Sequence, residues 1–194
     1  MKIRSLVTGL CLFGAAMTAK ANYDITFATY DLADLTQHLV FDAGGSNAVT
    51  GPAFLGQLYV GANAGSLGKI GAPVAFSDGG PTSAPAGFID SGTITVTDPT
   101  LSAGNSAVYV FRAWNASAGS SFEAASLVEG AHAGSSALTP ITLGGTVPGT
   151  PPQLLTAIAN LHPSFTLAVV HVPEPSAVAL GLIGGVALLL RRRK

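Results

Sequence analysis

Ser66 stands in Ala64-Gly65-Ser66-Leu67-Gly68, a spacing close to the nucleophile elbow of serine hydrolases, with Ala in place of the first Gly. Such an elbow works because a strand running into a helix thrusts the serine hydroxyl out of a sharp turn. Here the flanking residues read as strand, turn and strand, so that geometry is missing. Gly68-Lys69 in the same stretch is followed by Ile70, where a phosphate loop needs Ser or Thr to hold magnesium. His38, His132, His162 and His171 are scattered without metal-ligand spacing. Asp31 and Asp34 lack the acidic loop of a calcium site and read as solvated carboxylates. A carboxylate pair for glycoside hydrolysis can be distant in sequence, and no pair is singled out here. The sequence therefore assigns no catalytic residue, no metal ligand and no cofactor, and the chain is expected not to be an enzyme.

Aromatic side chains offer a different chemistry. Trp114, with Tyr109 and Tyr59, is a candidate glycan contact if the rings stand exposed on one sheet face. The competing reading places them in the core, because burying a large ring is a major stabilising contribution.

The elements that would position these residues are mostly strands. Tyr23, Ile25 and Phe27 share one face at the period of two, with Asp24 and Thr26 on the other. Ile94 and Val96 alternate with Thr93, Thr95 and Thr97. Ser106 to Trp114 is apolar on both faces, which predicts a central strand; Leu55 to Val60 and Pro163 to Val170 are further strands. Gly44-Gly45-Ser46-Asn47, Ser77-Asp78-Gly79-Gly80-Pro81 and Thr100 to Asn105 punctuate them as turns. One short helix is expected over Gln153 to Leu161, with Leu154, Ile158 and Leu161 on one stripe. The pattern predicts an all-β fold, an antiparallel β-sandwich of jelly-roll-like or Ig-like topology.

Composition agrees with that class. Gly at 24 and Pro at 12 in 194 residues disfavour long helices, while 48% hydrophobic content is too high for a disordered chain. Charge is partitioned unevenly. Between residues 22 and 172 the only bases are Lys69 and Arg112, against Asp24, Asp31, Asp34, Asp42, Asp78, Asp90, Asp98, Glu123 and Glu129. Two positive and nine negative groups leave that stretch at a formal −7, so nucleic acid is not an expected partner.

The ends are different. Residues 1–21 read as a secretory signal peptide: Lys2 and Arg4, an apolar run from Leu6 to Met17, then Ala19-Lys20-Ala21 at the spacing signal peptidase accepts. The only cysteine, Cys11, lies inside that run and would be lost with it. Residues 22–172 form the body. Residues 173–194 begin Pro173-Glu174-Pro175, continue through an uncharged run from Ala177 to Leu190, and end Arg191-Arg192-Arg193-Lys194. Fourteen residues make about 21 Å of helix, short for a lone span unless the basic side chains snorkel. The basic end is expected to stay cytoplasmic, which puts the body on the far side. Gly181 and Gly185 form a small-residue pair that suits packing on another membrane helix.

The order Pro173-Glu174-Pro175, apolar helix, basic terminus resembles the PEP-CTERM sorting signal of Gram-negative bacteria, over residues 172–194 only. The resemblance implies that Pro173, Glu174 and Pro175 are recognised by an exosortase, an integral-membrane transpeptidase-like enzyme that removes the tail. It further implies an inner-membrane-tethered precursor, then a place at the cell surface or in an extracellular, exopolysaccharide-rich matrix. Expected partners are thus signal peptidase, the exosortase-like enzyme, the membrane and exopolysaccharide. The body would be structural or adhesive; a carbohydrate-binding module and a permanently tail-anchored surface protein remain open beside it.

Overall fold

Alternation of Tyr23, Ile25 and Phe27 with polar neighbours can hide all three rings and chains from water only if the backbone is extended. The computed structural model, which describes residues 22–29, 38–80, 85–97, 101, 104–144, 164–172 and 181, has that strand and nine more. In chain order they are β1 (Asn22–Ala28), β2 (Val40–Phe41), β3 (Phe54–Gly61), β4 (Gly68–Ala75) and β5 (Asp90–Thr97). Then follow β6 (Ser106–Asn115), β7 (His132–Ser135), β8 (Thr139–Thr142), β9 (Phe165–Thr166) and β10 (Ala168–Val169). Helical structure within those segments is slight: 3₁₀ turns at Ala64–Ser66 and Ala116–Ala118, and the single turn α1 (Phe122–Ala125). The fold is all-β.

β6 is the spine. It is ten residues long and pairs antiparallel with the whole of β3, from Phe54 opposite Asn115 to Gly61 opposite Val108. Its other edge is shared by two short strands, β7 alongside Arg112–Trp114 and β8 alongside Ser106–Tyr109. With β4 outside β3 and β10 outside β7, these make a six-stranded sheet. β1 and β5 form a separate antiparallel pair in which Ile25 faces Ile94 across the ladder. Among the described residues none of the sheets closes on itself.

Both faces of β6 are covered, as its two-sided apolar pattern predicts. On one side Tyr109, Phe111 and Ala113 are buried together with Leu58 and Val60 of β3 and with Tyr23, Ile25 and Phe27 of β1. The Phe111 ring sits edge-on to Phe27 at 5.5 Å and to Phe165 at 5.6 Å between centroids. Gly56 makes the approach of β3 to this layer possible: a Cβ there would lie 2.3 Å from Ile89 Cδ1 and 2.6 Å from Phe111 Cε2. On the other side a smaller cluster gathers Trp114, Ala125 and Ala133, with Leu55, Phe122 and Val170 against it.

Two expectations are corrected. The stretch Pro163 to Val170, read as one strand, is two: β9 joins β2, and β10 joins β7. Leu167 between them is buried and gives its amide to the Phe41 carbonyl, so the chain crosses from one sheet to the other at that residue. The all-antiparallel expectation also fails at one pair, since β2 and β9 run parallel. No hairpin links these two, being far apart in sequence, and a long connection allows either direction. The helix expected over Gln153 to Leu161, the segment 1–21 and the tail 173–194, apart from Gly181, lie outside the described residues. Among the described residues no helix is long and apolar enough to cross a membrane.

Candidate functional site

Lys69 and Arg112, the two bases of the acidic body, meet on one carboxylate. β3, β4 and β6 are adjacent in the sheet, and on the face away from Phe111 they present Tyr59, Lys69 and Arg112 side by side. Glu123 is lowered onto them by α1, whose start is fixed by Ser121: the Ser121 hydroxyl accepts the Ala124 amide at 3.2 Å. Lys69 Nζ lies 2.7 Å from Glu123 Oε2. Arg112 Nη1 and the Tyr59 hydroxyl both donate to Oε1, at 3.2 and 2.8 Å. The Arg112 guanidinium is also held between two rings, 4.2 Å from the centre of Tyr59 and 4.8 Å from that of Phe122.

This arrangement sets the protonation states apart. Burial, reinforced by the neighbouring carboxylate, pushes the Tyr59 phenol up to about 12. Burial alone would raise Glu123 as well, but donation from Lys69 and Tyr59 outweighs it and brings the carboxyl down to about 2. Proton transfer near neutrality is served by a group whose pKa lies close to the working pH. Tyr59 stays neutral and Glu123 stays ionised on both sides of pH 7, so the cluster is a poor acid–base pair and a good clamp for α1.

Glu123 is about half exposed, so solvent screens what the clamp contributes. Its lowered folded-state pKa means the contribution is complete above the ordinary carboxylate value of 4.5 and lost as pH falls toward about 2. Replacing Glu123→Gln is expected to lower unfolding free energy at pH 7 by about 1 kcal/mol. Urea denaturation at pH 7 and near pH 2 checks this, because the two proteins should converge at the acid end. A difference that persists there would mean the carboxylate charge is not what stabilises.

Of the residues singled out by sequence, Trp114 requires correction. It is fully buried, its indole nitrogen donates to the Gly119 carbonyl at 2.9 Å, and Phe122 stands edge-on to it. Tyr109 is equally inaccessible, and Tyr59 is 3% exposed. These rings are not a platform on which a sugar can stack; two-sided cover of β6 leaves its aromatics inside. Ser66 lies on a 3₁₀ turn between β3 and β4, as the strand, turn, strand reading predicts. Its hydroxyl exchanges hydrogen bonds with the Asn63 backbone, closing the hairpin. His38, His132 and His171 do not assemble with acids into a cluster able to hold a metal among the described residues.

A second carboxylate does the work of a fastener. Glu129 Oε2 accepts the Val172 amide, and Oε1 lies 3.3 Å from His171 Nδ1. The Val172 amide and the His171 side chain hold this exposed carboxyl below its ordinary range. Together with the bonds from the Val170 amide to Ala131 and from the Gly130 amide to Val170, they tie the chain to the body up to residue 172. Neither cluster is visible in the sequence, where Glu123 and Glu129 are two of nine acids between residues 22 and 172 with nothing in their spacing to set them apart.

No family model, curated protein or solved structure matches this chain.

Proposed function

We propose that this chain is an exported envelope protein delivered through its C-terminal tail, and that its β-rich body serves a structural or adhesive role in an exopolysaccharide matrix. One observation carries the reading. Pro173-Glu174-Pro175 begins at the residue after Val172, which is fastened to the body through Glu129, and leads into the uncharged run and the four terminal bases. A folded, acidic body joined directly to such a tail is the arrangement expected of cargo that is held at a membrane and then cut loose.

The body is best read as a two-layer sandwich, with the β1–β5 pair laid over the Phe111 side of the six-stranded sheet. The ring contact between Phe27 and Phe111 supports that reading. At the Tyr59–Glu123 cluster, where both groups are shifted away from neutral pH, the arrangement supports a holding role for these two residues and not an acid–base one. Pro173, Glu174 and Pro175 would be the recognition residues, Gly181 and Gly185 the packing pair of the membrane helix, and Arg191, Arg192, Arg193 and Lys194 its cytoplasmic end.

Mass spectrometry of the protein recovered from its native cells tests this directly. The expected mature chain starts at Asn22 and ends near Pro175 in the extracellular or surface fraction. An intact Arg191–Lys194 terminus in the membrane fraction would replace sorting by permanent anchoring. A cytosolic chain beginning at Met1 would end both.

A further inference from the structure

Leu127 and Val128 are large apolar residues exposed to solvent, 74% and 43%, in the turn that joins α1 to β7. Single exposed apolar residues need no explanation on a soluble surface. These two differ because of where they sit. The turn is rigidly held: the Val128 amide donates to the Ala125 carbonyl and the Ala131 amide to the Val128 carbonyl. The next residue along, Glu129, is the one that fastens Val172. Val172, the last described residue before Pro173, therefore lies beside Leu127 and Val128.

Only Pro173, Glu174, Pro175 and Ser176 separate that exit from Ala177, where the uncharged run begins. At about 3.6 Å per residue, the five steps from Val172 to Ala177 reach no more than about 18 Å. If the run enters a bilayer, the turn at Leu127 cannot be far from its surface. We propose that Leu127 and Val128 form the membrane-facing end of the body and dip into the lipid interface while the chain is tethered. This inference rests on the reading of residues 177–190 as membrane-embedded, and it adds an orientation to it.

The sheet supplies the rest of the geometry. Val169, itself 40% exposed, pairs with His132, and Phe54 pairs with Asn115, so all four lie at the exit end. Gly61 pairs with Val108 at the other end, about 23 Å along β3 at 3.3 Å per residue. The six-stranded sheet would thus stand on the membrane by its Asn115 end, with the Ala64–Ser66 turn pointing away.

Brominated lipids quench tryptophan emission only on contact, and the native Trp114 is buried and shielded. The full-length chain, reconstituted in vesicles of brominated phosphatidylcholine, is compared as wild type, Leu127→Trp and Ala64→Trp. Both added rings replace exposed side chains, so folding should be retained and circular dichroism verifies it. The expected result is loss of the added emission in Leu127→Trp and none in Ala64→Trp. Unquenched emission at both positions, from protein that floats with the vesicles, would overturn the contact and leave the tail reading intact. Equal quenching at both would overturn the upright orientation. Protein that fails to float would remove the membrane-embedded tail and the docking surface together.

Discussion

Phe111→Ala is expected to lower the unfolding free energy by about 3–5 kcal/mol, the largest effect of any single truncation on the Phe27 side of the sheet. The ring is fully buried, and its partners come from different sheets. Phe27 belongs to the β1–β5 pair, Phe165 to the β2–β9 pair, and Phe111 itself to the spine of the six-stranded sheet. Edge-on aromatic pairs of this kind add about 0.5–1.5 kcal/mol each beyond the area they bury. Truncation removes both pairs at once and leaves a void bounded by three sheets that are not covalently close. Domains of ordinary size are stable by only about 5–15 kcal/mol, so much of the margin would go. Equilibrium urea unfolding followed by circular dichroism measures it. Phe111→Leu should cost clearly less, since it keeps most of the volume. A loss under about 1 kcal/mol for the alanine variant would mean that the three sheets do not share this ring as their junction.

How much of this was readable in advance depends on whether a residue's environment is set locally. β1 and β6 announce themselves: alternation in Tyr23–Phe27 and apolar character on both sides of Val108–Phe111 leave few other ways to hide those side chains. β4 does not. Gly68, Gly71 and Pro73 are poor strand formers, and the segment is extended only because β3 supplies a ladder for it. Its register slips opposite Gly56–Leu58, and Gln57 reaches across so that its side-chain amide donates to the Gly71 carbonyl at 2.7 Å. That repair joins residues 14 apart and leaves no trace in local pattern. β7 and β8 are four residues each, and α1 is a single turn, too short to show periodicity. The Lys69–Arg112–Glu123 cluster is likewise made by register and not by spacing. One hint was present: only two cations stand in a stretch of nine acids, and Arg112 interrupts the most apolar strand of the chain. A charge placed there needs a partner, because leaving it buried and unpaired is costly.

Trp114→Ala should have a comparable cost, about 3–5 kcal/mol, and a wider reach than its position suggests. The indole is the centre of the small cluster on the outer face, where Ala125 and Phe122 of α1 pack on it with Ala133 of β7. Its nitrogen anchors Gly119, the residue after the 3₁₀ turn that leads into α1. α1 is a single turn, and a lone turn of helix has no stability of its own in water. With Trp114 removed, α1 is left with the Ser121 cap, the Lys69, Arg112 and Tyr59 contacts of Glu123, and the Phe122 ring against Arg112. Glu123 would then lose its fixed position over Lys69 and Arg112, and the Arg112 guanidinium would lose the Phe122 ring. The cost of Glu123→Gln should therefore shrink when measured in the Trp114→Ala background, a departure from additivity that two independent sites would not show. Full additivity would separate the indole from the clamp and sink this account. The same variant bears on glycan recognition. Because the ring is inside, any loss of exopolysaccharide binding in Trp114→Ala would follow from lost structure. Trp114→Phe distinguishes the two cases: it keeps an aromatic core, so a sugar contact would weaken while the fold held, whereas a packing role predicts unchanged binding and a milder loss of stability.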